Sequence, residues 1–234
     1  MKLNESKIER LYEFTRQHYV EWYDLQTELV DHLANAIETE WQENPKIDFE
    51  DALKVEFKKF GVFGFMDVVE KRQAALGKRY NKIVWKHFKA FFTLPKIILT
   101  VTLVLSLFYV FKYFYFEEIF GLSILMACFV LFPFLYFENK KIKRRKKETG
   151  KVWLFEHIIY GYGAFSGIMM IPFHLINIFF NHKTSIPNDF VLYVISLVIV
   201  SIYLGGYIII KIIPSKAEEY LKETYPEYTL VNTL

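Results

Sequence analysis

The chain has 234 residues, 53% hydrophobic, 19% aromatic and 24% charged, with 29 Lys and Arg against 26 Asp and Glu and a formal net charge of +3. A soluble chain rarely carries so much Phe and Tyr beside so much charge, so the two must be segregated into a water-facing and a lipid-facing part. The net charge is too small to argue for nucleic acid, and the single Cys128 excludes an internal disulfide and a cysteine-based zinc set.

The first twenty residues lack the unbroken apolar core of a secretory signal and read as an amphipathic helix, which keeps the N-terminus in the cytoplasm. Asn4 is the expected N-cap, with Ile8, Leu11, Tyr12, Thr15 and Tyr19 on one face. A second helix is expected over residues 24–42, with Leu25, Leu29, Leu33, Ala36, Ile37 and Trp41 inward and Glu28, Asp31, Glu38 and Glu43 outward. Asn44-Pro45 breaks it. Asp48 caps a third helix, with Phe49, Leu53, Phe57 and Phe60 inward and a stop at Gly61. A short fourth helix over 65–76 completes a cytoplasmic bundle assigned to residues 1–77. A bundle of roughly 75 residues is marginal by surface-to-volume scaling.

Charge then changes sign. Residues 1–77 carry sixteen acidic and ten basic side chains, whereas 78–96 hold Lys78, Arg79, Lys82, Lys86, Lys89 and Lys96 and no acid. Interleaved Trp85, Phe88, Phe91 and Phe92 suit a basic amphipathic collar lying among lipid headgroups, with the lysines toward anionic phosphates. The plainer alternative, favoured from sequence, is a continuous helix leading into the first span, its lysines serving only as a topology signal.

Four apolar runs follow, each near the 20 residues needed to cross a bilayer core of roughly 30 Å. They cover residues 97–116, 119–137, 158–180 and 190–210 of a four-helix transmembrane domain over 97–213, followed by a tail over 214–234 expected to form at most one helix. The connection between the second and third runs holds Lys140, Lys141, Lys143, Arg144, Arg145, Lys146 and Lys147, while the other two connections are acidic or nearly neutral. Positive loops stay inside, so both termini and this connection belong to the cytoplasmic face of a bacterial-type inner membrane. The same basic run has the composition for anionic lipid. Without an adjoining folded reader, no nucleic-acid partner is expected.

Three constellations invite chemistry. Glu28, Asp31 and His32 place carboxylates and an imidazole one turn apart, as metal ligands are. Two or three ligands on one helix do not complete a site, and the plainer reading pairs Glu28 and Asp31 with nearby lysines and sets His32 beside the core. In the third span, Glu156, His174, Asn177 and Asn181 share a polar face, an arrangement that a small transporter could use. Gly163-x-x-x-Gly167 there and Ser201-x-x-x-Gly205 in the fourth span suit close helix packing, and His174 fits a hydrogen bond to a neighbouring helix. A metal-dependent intramembrane enzyme needs several convergent histidines, but His157 and His174 lie about 26 Å apart along a straight helix. No GxSxG, Walker A or GxGxxG motif is present, and no cofactor is expected.

The string Glu28-Leu29-Val30-Asp31-His32-Leu33, the following Phe49-Glu50-Asp51-Ala52-Leu53 helix and the Phe60-Gly61 end resemble the permease-prefix or HAAS-type helical domains at the N-termini of bacterial permeases and stress-related membrane proteins. The resemblance covers residues 1–76 and implies a cytoplasmic interaction or signal-receiving module on a membrane anchor, without catalytic residues. The sequence therefore reads as an all-α, multi-pass, non-enzymatic membrane protein that meets a protein partner through residues 1–77 and leaves homo-oligomerisation open.

Overall fold

A computed structural model of the chain describes residues 2–114, 121–122, 136, 140, 144, 147, 150–161 and 188–231. Every regular element among them is a helix. They divide into two units. One joins Met1–Leu76 with Arg144–His157 and is called the head; the other joins Gly77–Lys143 with Ile158–Leu234.

In the head, α1 (Glu5–Gln17) starts at Asn4, whose side chain accepts from Lys7 N at 3.0 Å. It ends at His18 in a Schellman turn: Val20 N bonds Thr15 O and Tyr19 N bonds Arg16 O. Tyr19 takes the left-handed position, φ 63°, that glycine usually fills. The turn removes it from the helix face on which its spacing from Thr15 placed it, and it is 79% exposed. His18 turns inward instead, its ring 4.3 Å from that of Phe57 and 5.9 Å from that of Phe65.

Helix α2 (Tyr23–Glu43) buries Leu25, Leu29, Leu33, Ile37 and Trp41, and additionally Asp24, Gln26 and Val30. Helix α3 (Phe49–Lys58) starts at Asp48, which accepts from Glu50 N, and buries Phe49, Ala52, Leu53 and Glu56. The buried Glu56 is held by Lys59 at 2.6 Å. Gly61 and Gly64 both have positive φ, which favours glycine, and a Cβ at Gly64 would lie 2.8 Å from the Phe57 ring, so a side chain there would displace that ring.

Helix α4 (Met66–Ala90) replaces the expected short fourth helix and separate collar. The charge reversal near residue 77 changes the solvated face of one helix; nothing there interrupts backbone bonding, and Gly77 is accommodated inside it. The plainer alternative, a helix running on into the span, is also corrected. Helix α4 ends at Ala90, and α5 (Lys96–Tyr113) begins after a turn in which Thr100 Oγ1 donates to Phe91 O at 3.1 Å.

The second unit pairs α5 with the last long helix, α7 (Asp189–Tyr207), which continues through a π turn at Ile208–Ile212 to Ser215. They run antiparallel. Lys112 at the end of α5 meets Asp189 at the start of α7, while Phe91, just before α5, meets Tyr207 at the far end. Phe111, Leu192, Ile195 and Ile199 form the core between them. These two helices are long and apolar enough to cross a membrane. The expected second and third spans lie almost wholly outside the described residues; only α6 (Leu154–Gly161) reaches the start of the third.

The tail forms two short helices, α8 (Ala217–Thr224) and α9 (Tyr228–Val231), where at most one was expected. Pro226 is the cause. The residue before a proline is driven out of the helical region, and Tyr225 sits at φ −128°, ψ 99°.

Candidate functional site

The head is completed by a segment distant in sequence. Tyr23 N donates to Val152 O at 2.8 Å, and Leu154 N donates to the Asp24 carboxylate at 3.0 Å. Leu154 is the first residue of α6, so its N–H is one of the donors that a helix start leaves without an internal acceptor. Asp24, in the first turn of α2, therefore caps a helix begun 130 residues later. A carboxylate at a helix N-terminus also meets the positive end of the helix dipole.

Rings close the junction. Trp153 packs edge-on to Tyr23 at 5.3 Å, His157 lies 6.3 Å from Trp22, and Lys151 Nζ sits 4.3 Å above the Tyr23 ring. Trp153, Leu154 and Phe155 are buried, as is Glu156. Glu156, expected on an intramembrane polar face, thus belongs to the segment that clusters with the head.

Beside this junction lies an open recess of about 450 Å³ walled by Tyr19, Glu21, Trp22, Met66 and Glu70. Tyr19 and Met66 are exposed, and Tyr19 is held at the recess by its left-handed backbone. Glu21 and Glu70 thus share one recess with the Tyr19 and Trp22 rings, a lining chemically suited to a cationic or amphipathic group.

The metal candidates do not form such a place. Glu28, Asp31 and His32 are all exposed on α2, and the His32 ring lies 5.6 Å from that of Phe60. No group of three or more His, Cys, Asp or Glu able to hold a metal occurs among the described residues. The lysine partners expected for Glu28 and Asp31 are likewise absent among them.

In the second unit, the tail is tied to the basic half of α4. His87 Nε2 lies 2.8 Å from Tyr220 Oη, and Arg79 pairs with Glu223 at 3.4 Å. Burial lowers the His87 pKa, helped by Lys216, Lys86 and Lys96 and opposed by Glu219, so the ring is neutral at pH 7. Burial, with Glu219 and Glu223, raises the Tyr220 pKa. Tyr80 is buried with its hydroxyl unpartnered among the described residues, and burial raises its pKa far above the ordinary tyrosine value.

Of the expected packing positions, Ser201 and Gly205 are half-buried, and a Cβ at Gly205 would meet nothing within 4 Å among the described residues. Gly163, Gly167, His174, Asn177 and Asn181 lie outside them, as do Lys141, Lys143, Arg145 and Lys146; Lys140, Arg144 and Lys147 are exposed. Sequence reasoning missed Asp24 and the 153–155 triplet. Their one signal was an apolar Trp-Leu-Phe run directly after the basic connection, ahead of where the span was set to begin. No protein-family model, curated protein or solved structure matches the chain.

Proposed function

We propose that the chain is a four-pass protein of a bacterial-type inner membrane, with both termini cytoplasmic, whose head is an interaction or signal-receiving module rather than an enzyme. The observation that carries this reading is the bond between Asp24 and Leu154. Groups 3.0 Å apart share one side of any membrane. The head is joined to α5 through α4 with no apolar run between, so head and 151–157 start on the side from which α5 departs.

Parity then supplies the rest. If α5 crosses once, the chain must return before residue 151, and each candidate interval holds one apolar run of suitable length, 119–137 and 158–180. Helix α7, antiparallel to α5, brings the chain back to the side where Tyr220 and Glu223 meet α4. Charge supports the same sidedness, because the basic half of α4 and the basic connection both fall on it.

The module reading rests on the recess and on the weaving of 151–157 into the head: a partner seated at Tyr19 and Trp22 would sit beside the segment that leads into the third apolar run. It is the role that the permease-prefix resemblance implies. Affinity capture from solubilised membranes tests it, comparing the full chain with chains lacking residues 1–77 or 217–234. Partners lost only with the head support the module; identical losses from both truncations, or none, contradict it. Only losses count, because removing the head uncovers Trp153, Leu154 and Phe155.

A further inference from the structure

Helix α4 carries three stripes beyond residue 76. Leu76, Tyr80, Ile83, Val84 and His87 recur at three- and four-residue steps and are buried or half-buried. A second stripe, Trp85 and Phe88, continues at the same spacing to Phe92 in the following turn and then to Leu94. Trp85 is 57% exposed, Phe92 39% and Leu94 79%. The rings stack on one another, with Phe88 half-buried between them: Trp85 lies parallel to Phe88 at 5.5 Å, and Phe88 lies 5.3 Å from Phe92.

The third stripe is Lys82, Lys86 and Lys89, with Lys96 past the turn, all exposed and none in an ion pair with a described carboxylate. Lys89 Nζ stands 5.9 Å from the Trp85 ring and so flanks the aromatic stripe, while Lys96 Nζ, past the turn, stands 5.0 Å from the buried Phe91 ring. An exposed aromatic run of this kind marks an interaction surface.

Two observations select its occupant. The stripe is continuous along the chain with the start of α5, where Ile98, Leu99 and Val101 are also exposed, so the surface that follows it is one suited to lipid. Its exposed flank carries Lys82, Lys86 and Lys89, which suits phosphate at the depth where aromatic rings and lysine stems partition together.

We propose that residues 82–96 form a seat for anionic phospholipid. The rings of Trp85, Phe88 and Phe92 and the Leu94 side chain enter the headgroup boundary, and Lys82, Lys86, Lys89 and Lys96 engage lipid phosphates. This rests on the membrane reading above. Unlike a topology signal, which any basic residues satisfy, the seat requires these rings and lysines in this register.

The test uses the full chain in nanodiscs of phosphatidylcholine with or without phosphatidylglycerol, and the variants Trp85→Phe and Lys82→Gln/Lys86→Gln/Lys89→Gln. The expected result is that the fluorescence lost in Trp85→Phe is the part quenched by lipids brominated near the headgroup end of their chains. Native mass spectrometry should show phosphatidylglycerol retained over phosphatidylcholine, with that preference falling at least threefold in the triple variant and unchanged in Lys211→Gln. A chain that inserts yet leaves Trp85 open to aqueous iodide contradicts the seat alone, as does a triple variant with undiminished preference. Protection of Trp85 from both iodide and lipid would assign the surface to protein instead and overturns the proposal. A chain that remains in water without lipid contradicts the membrane reading and the seat together.

Discussion

The head and the α5–α7 pair follow opposite rules about what is hidden. In the head, Leu11, Leu25, Leu33, Ile37 and Leu53 are fully buried and most charge lies outside, while the buried Asp24 and Glu56 carboxylates are held by Leu154 N and Lys59. Along α5, Ile98, Leu99, Val101, Leu103 and Leu105 are exposed while Thr100 is buried, and in α7 Ser196 is buried while Phe190 and Tyr193 are exposed. Each hidden hydroxyl is satisfied on its own helix, Thr100 by Lys96 O and Ser196 by Leu192 O. On the proposed membrane reading, the same side-chain chemistry is sorted against two solvents, water around the head and hydrocarbon around the pair.

Substitutions separate the two rules. Leu33→Ala deletes a fully buried side chain in the head and should destabilise it by about 2–5 kcal/mol, read by pulse proteolysis of the detergent-purified chain. Leu99→Ala, on the exposed face of α5, should cost much less; equal losses would break the comparison. Leu103→Lys tests the solvent directly. An exposed leucine facing water tolerates such a change within about 0.5 kcal/mol, whereas a lysine near the middle of a span costs about 2.5–3.5 kcal/mol of insertion. The expected outcome is reduced membrane integration in a carbonate-extraction assay, and unaltered integration would remove α5 from the membrane.

The junction between Asp24 and Leu154 should show an intermediate effect. Asp24→Ala removes a charged acceptor from a buried N–H and is expected to cost roughly 1–3 kcal/mol. Hydrogen exchange should then rise at Leu154 and Tyr23 together, while α3 stays protected. A smaller gain is expected at Tyr19. Replacing it with Gly relieves the left-handed strain and should raise the head's stability by about 1 kcal/mol; a loss would show that the exposed ring contributes packing at the recess.

Much of the head was legible because period and cap agree: Asn4, Asp48 and the α2 stripe each satisfy a local rule. What escaped was set by distance or by a special backbone. Asp24 looked like an ordinary first-turn acid, and only folding brings Leu154 to it. Tyr19 continued the α1 stripe in sequence, but a Schellman turn ended the helix two residues earlier. The α4 boundary was misplaced because a change of charge was read as a change of element. Pro226, by contrast, was a visible breaker whose consequence for the tail was not drawn.

The smallest effect concerns the tie between the tail and the basic half of α4. His87 has a lowered pKa when the tail is docked, so the undocked state binds more protons as pH falls below the ordinary histidine value of about 6.5. Docking should therefore be complete above that value and weaken as pH drops through the window beneath it. Amide exchange at Leu221 and Tyr225 should rise over that range, and His87→Gln should flatten the dependence. An identical slope in the variant would move the effect elsewhere.

The central claim is the four-pass sidedness that ties the head to the 151–157 segment. Single cysteines at Asn44, Lys147, Asn188 and Thr229, in a Cys128→Ser background, can be probed in intact cells with a membrane-impermeant maleimide. The account predicts labelling at Asn188 alone, with the other three reacting only after permeabilisation. Labelling of Lys147 together with Asn188 from outside would contradict it.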